Sequence, residues 1–173
     1  MYYLILSSSL IVLAMGLIVY YRLFIFGFKV EVDYTVTIQD FIKVKGLKGL
    51  HLDYVNDKLK TQPLEEYYKP KNAIAIITGR FRKFGRISSE KALAKFDKYK
   101  ERPLIATEIL HILAKYRFAK YPAYIVVMGS VWRCLYGVRG VAVLCGGGGR
   151  RSLVLGWFGH GWRAVCRFAA VRK

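Results

Sequence analysis

The sequence predicts an α+β fold: a two-layer α/β domain with a small, mostly antiparallel sheet, an apolar N-terminal extension and a basic Gly/Arg-rich C-terminal extension. Three observations lead there. VEVDYTVTI (30–38) alternates apolar and polar residues as a half-buried strand does. AIAIIT (73–78) and AYIVVM (123–128) are short β-branched runs with the length of buried strands. Between those runs, SSEKALAKFDKY (88–99) offers a capping serine, an acid in the first turn and helical apolar spacing.

In chain order, residues 1–28 form an apolar segment in which Arg22 is the only charge. Its uncharged part, 1–21, has about the 20 residues that span a bilayer, with tyrosines at both ends and Arg22 and Lys29 behind. Burial against neighbouring proteins of an assembly would select the same composition. Residues 29–72 hold the alternating strand, then GLKG (46–49), then HLDYVNDKLK (51–60), whose Leu52, Val55 and Leu59 are spaced as on a helix. Residues 73–128 hold the two β-branched strands and the helix from Ser88 or Ser89, with Leu93 and Phe96 inward and Lys91, Lys95 and Lys98 outward. PLIATEILHILAKYRFAKY (103–121) reads as a second helix opened by proline, although its branched residues permit a strand in the first half. From 129 to 173 arginine replaces lysine almost completely, glycine is frequent, and no acid occurs after Glu108. Glycine raises the entropy of the free chain, so this tail is expected to order only against a partner.

The chemistry is narrowed by charge. A net charge of +18 with 54% hydrophobic residues describes a folded protein whose partner is a polyanion, either nucleic acid or an anionic membrane surface. Cys134, Cys145 and Cys166 have no CxxC spacing and only His160 nearby, so reduced structural thiols are expected and no metal or cofactor. TGRFRKFGR (78–86) is not a phosphate loop: five residues separate Gly79 from Gly85, and Arg86 and Ile87 stand where Lys and Ser or Thr are required. His51, His111 and His160 are isolated, with His111 in an apolar run that suits a satisfied core imidazole, so no enzyme is expected. What remains is arginine, lysine and phenylalanine beside a strand. Guanidinium groups bind phosphate bidentately, and phenyl rings stack on unpaired bases. Arg80, Arg82, Lys83 and Arg86 are the first candidates, with Phe81 or Phe84 stacking or packing beneath; Lys91, Lys95, Arg102, Arg133, Arg150 and Arg151 extend the set.

AIAIITGRF, then RPL, then KYPAYIVVM resembles the C-terminal domain of the small-subunit ribosomal protein S-three family. The matching residues are Ile74, Ile76, Thr78, Gly79, Arg80 and Phe81, then Arg102, Pro103 and Leu104, then Tyr121 and 125–127. The segment between Arg80 and Pro103 is longer than in the family, and Pro122 stands at a family glycine. The resemblance implies a strand near 104–111 with its helix starting near Ile112, and it would make GLKG a remnant of a KH-like backbone-binding loop. Residues matching the family's basic messenger-unwinding helix are absent. Short apolar forms of such proteins are typical of mitochondrial genomes. The expected function is therefore a structural constituent of the mitochondrial small ribosomal subunit, in its head, in the matrix. Its partners would be ribosomal RNA and neighbouring mitochondrial ribosomal proteins. The alternative is an organellar inner-membrane protein anchored by residues 1–21 with a basic matrix domain.

Overall fold

The computed structural model describes residues 27–50, 52–61, 63–116, 124–147 and 150–173. The apolar segment up to residue 26, His51, Tyr121 and Pro122 lie outside them. The described elements are β1 (Phe28–Asp33), α1 (Ile38–Gly49), β2 (Tyr54–Val55), β3 (Glu65–Glu66), β4 (Ile74–Arg82), α2 (Ser89–Lys98), β5 (Glu101–Pro103), α3 (Ala106–Lys115), β6 (Ile125–Arg133), β7 (Arg139–Gly147), β8 (Arg150–Trp157) and β9 (Arg167–Arg172). Short 3₁₀ turns occupy Asp57–Lys60 and Leu135–Gly137.

The fold is α+β, with one sheet in the order β1-β4-β9-β6-β7-β8-β2, β3 pairing with β6 and β5 with β9. All pairs are antiparallel except β2–β8 and β6–β9. Alternate residues of the central strands feed two apolar clusters. Ile125, Val127, Ala142, Leu144, Ala169 and Val171 join α1 and α3 on one face. Val126, Met128, Val141, Val143, Phe168 and Ala170 join α2, Phe158 and Trp162 on the other. Helices on both faces add a third layer to the two expected, and strands buried on both sides read as continuous apolar runs, as IVVM does.

Local chemistry sets the helix starts. The Ser88 hydroxyl accepts the Lys91 N–H at 3.3 Å, and Ala92 and Phe96 are the buried positions of α2 with Leu93 packed beside them. Thr37 caps α1, accepting the Asp40 N–H at 3.1 Å, so the alternating stretch 30–38 divides into a strand and a helix start. GLKG ends α1, with Gly46 at φ 62 interrupting the helix. Residues 52–60 form β2 and a 3₁₀ turn instead of the expected helix, because Asn56 and Asp53 donate their N–H groups to the Leu153 and Arg151 carbonyls of β8. The helix read from PLIATEILHI is present as α3, but it begins at Ala106 and not at Pro103, which ends β5, and the strand at 104–111 implied by the family resemblance is not present. The decisive residue is Glu108, whose carboxylate accepts the Ile105 N–H at 3.0 Å and so closes the first turn.

The largest departure is residues 129–173, which complete β6 and supply β7, β8 and β9. They are part of the core and not an extension ordered only by RNA. Trp132 and Trp162 are buried, and only Trp157 of the three tryptophans is exposed. Two close approaches need glycine. A Cβ on Gly79 would lie 2.3 Å from the Ala170 carbonyl oxygen, and one on Gly129 2.2 Å from that of Leu104.

His111 occupies a satisfied site. Its Nε2 accepts the Asp33 N–H at 3.1 Å, so Nδ1 carries the proton and donates to the Thr107 carbonyl at 2.9 Å. Burial lowers its pKa, against the opposing pull of the Thr107 carbonyl, Asp33 and Glu108. A group with a depressed folded pKa resists the proton that the unfolded chain takes up near its ordinary value of about 6.5. Its contribution is therefore complete above that pH and declines as pH falls below it. Denaturant titrations at neutral and mildly acidic pH should show a smaller acid-induced loss in His111→Gln than in the parent chain. Equal losses in both would show that the imidazole does not titrate with folding.

Candidate nucleic-acid interface

Of the basic stretch 78–86, Thr78–Arg82 form the second half of β4, so the strand read at 73–78 is longer than expected, and only 83–86 turn away before Ile87 bridges to Trp162. Strand alternation sends Phe81 into the core against Phe28, with ring centroids 5.4 Å apart. Arg80 and Arg82 leave by the opposite face. Phe84 packs on Phe168 at 5.0 Å and Phe96 at 5.4 Å. Both phenylalanines thus pack beneath the cations and neither is presented for stacking on a base.

Arg80 and Arg82 converge on Glu101, which is 2% exposed. Arg82 binds it bidentately, Nε and Nη2 donating at 2.8 and 2.7 Å, and Arg80 Nε lies 3.1 Å away. The Arg82 guanidinium also covers the Tyr99 ring at 4.7 Å. Two cations on one carboxylate leave a net positive charge, held in fixed orientation at the sheet surface.

Arg102 is a different case. It is 7% exposed, paired with Glu108 through Nη1 at 2.9 Å and Nη2 at 2.6 Å, and stacked over Tyr68 at 3.6 Å. The Tyr34 hydroxyl donates to the same carboxylate at 2.7 Å, and burial raises the Tyr34 pKa. Arg102 is a core ion pair, which corrects its place among the candidate phosphate contacts: a guanidinium enclosed by Glu108 and Tyr68 does not face a partner.

The remaining candidates fall into three places. Lys83, Arg86 and Lys91 are exposed around the turn and the start of α2, and Lys95 reaches the Phe84 carbonyl at 3.5 Å, which ties the turn to the helix. With Lys98 one turn on, they make a continuous basic stripe, since residues three and four apart share a helix face. The acids beside it are Glu90 and Asp97, and Asp97 is engaged by Lys173 at 2.7 Å. Arg150 and Arg151 lie at the β7–β8 hairpin, where the Arg151 N–H is bonded to the Asp53 carboxylate. Arg133 is exposed at the end of β6.

Arg133 lines a cleft of about 460 Å³ with Asn56, Lys58, Cys134, Tyr136, Leu155 and Trp157. Of these only Arg133 was an RNA-binding candidate in the sequence. The alternation of LVLGW along β8 places Leu155 and Trp157 on one face, a signal hidden by the surrounding glycines. The cysteines are free thiols, and burial pushes the Cys145 and Cys166 pKa values up. Among the described residues no cluster of His, Cys, Asp or Glu could hold a metal ion, and no helix is long and apolar enough to cross a membrane.

No protein-family model matches the chain, and neither a curated protein nor a solved structure does so.

Proposed function

We propose that the chain is an RNA-binding structural protein of the mitochondrial small ribosomal subunit, in its head, held to ribosomal RNA by the exposed cations of the β4–α2 turn and α2. The observation that carries this reading is how the charge is distributed. Glu101 and Glu108 are buried in arginine pairs, while Lys83, Arg86, Lys91 and Lys98 stand on the surface. A stripe of this kind tracks a phosphate backbone by releasing its counterions. The ribosomal setting rests on the T-G-R-F sequence at 78–81 and the R-P-L at 102–104.

The triple variant Lys83→Ala, Arg86→Ala, Lys91→Ala tests it, because these side chains are exposed and their loss should leave the fold intact. Affinity for small-subunit ribosomal RNA should fall about tenfold or more, and the slope of log affinity against log salt should flatten by about two to three. An unchanged slope would remove the stripe from the interface. Sucrose-gradient sedimentation with and without detergent tests the setting: co-migration with small subunits in detergent is expected, and retention in a nuclease-treated lipid pellet would favour the anchored alternative.

A further inference from the structure

The cleft beside Arg133 is more specific than a basic surface. Tyr136 is 100% exposed, so no folded-state packing keeps a large aromatic there. It also sits at φ 62, a conformation that favours glycine or asparagine. Strained backbone at an exposed aromatic persists where the surroundings fix it, here through the Cys134 N–H bond to the Val138 carbonyl at 2.7 Å. Across the cleft Trp157 is 53% exposed, with one edge against His160 at 4.8 Å between ring centroids. Arg133 and Lys58 supply positive charge and Asn56 an amide, and among the described residues no carboxylate lines the cleft. The nearest acid on the same turn, Asp57, is engaged by Lys60 at 2.6 Å.

Two exposed rings, two cations and an amide around a half-open cleft match one ligand chemistry. We propose that this cleft seats an unpaired base of single-stranded RNA, stacked on Tyr136 or Trp157, with Arg133 and Lys58 on the flanking phosphates. Base-on-aromatic stacking tolerates any base, because each has a π-face, and it requires the strand to be unpaired. The proposal rests on the RNA-binding reading above and adds to it a preference for single strands at a second place on the molecule. An acidic peptide would also meet Arg133 and Lys58, but it would use the charges and leave the rings without a planar partner.

The test uses the full chain with a short labelled oligouridylate and a fully paired RNA hairpin. The oligouridylate should quench Trp157, the exposed tryptophan, while the buried Trp132 and Trp162 keep their emission. Tyr136→Asn should bind the oligouridylate about tenfold more weakly, with hairpin binding unchanged. Because asparagine suits φ 62, this variant should melt no lower than the parent chain, which separates lost stacking from lost folding. Trp157→Leu keeps the apolar packing and should show the same loss. If both variants bind oligouridylate as the parent does while the parent still binds the hairpin, the cleft assignment falls and the basic stripe survives. If the parent binds neither RNA, both readings fall. Displacement of the oligouridylate by an acidic peptide with Tyr136→Asn unaffected would make the cleft a peptide site.

Discussion

Replacing Glu108 with alanine should cost about 3–5 kcal/mol and leave the chain largely unfolded at physiological temperature. The substitution strands three groups at once: the Arg102 guanidinium, the Tyr34 hydroxyl and the Ile105 N–H. Arg102 cannot escape by losing its proton, since a guanidinium stays charged in proteins. Urea titration followed by circular dichroism measures the effect. Glu108→Gln should fall between, keeping an oxygen for the Ile105 N–H but not the charge. The joint replacement Arg102→Met, Glu108→Leu should recover only the part of the loss that comes from the stranded charge, because the Tyr34 hydroxyl and the Ile105 N–H still lack their acceptor. A Glu108→Ala protein within about 1 kcal/mol of the parent would show that water enters this pair and that the core at α3 is looser than its burial implies.

The second large effect concerns residues that look like ligands in the sequence. Arg80→Ala with Arg82→Ala should destabilise the fold by about 2–3 kcal/mol, less than a fully enclosed pair because both arginines are partly hydrated. Glu101 would then be a buried carboxylate with no cation, which is the source of the loss. A double variant that is as stable as the parent at every pH, yet binds RNA less well, would mean that Glu101 finds water and that the arginines serve the partner alone. Lost RNA binding in this variant, taken without a stability measurement, would be misleading: unfolding removes the whole interface. The exposed trio Lys83, Arg86 and Lys91 is the better probe for that reason.

The sequence was most readable where local chemistry and tertiary packing agree. Ser88 caps a helix because its hydroxyl answers an orphan N–H, and IVVM is a strand because both its faces are covered. Reading failed where a distant partner decides. The strand read at 73–78 continues to Arg82 through a glycine and two arginines that gave no strand signal, yet Gly79 is the residue that lets β4 approach β9, and Arg80 and Arg82 are anchored by a glutamate 19 or more residues away. The tail was misread for a related reason: alanine and glycine are weak strand formers alone, but Ala169 and Ala170 are fully buried where β4, β5 and β6 crowd around β9. The ring cleft was legible only after the fold was known, since the β8 register turns Trp157 outward and the 3₁₀ turn between β6 and β7 carries Tyr136 beside it.

The position of β9 also bears on how the molecule comes into being. Its partners β4 and β6 are synthesised before it, and Gly79 pairs with Val171 across about half of the chain. Contacts so distant in sequence close slowly, because the entropy of the intervening loop must be overcome first. Until residues 167–172 emerge during translation, β4 and β6 each present an unpaired edge, and the pocket for Phe168 between Phe84 and Trp162 is empty. The nascent chain thus passes through a stage with two open strand edges and uncovered aromatic surface, the form most prone to aggregate. A chain that is made beside its assembly partner, or held by a chaperone until its last strand is inserted, would pass that stage safely.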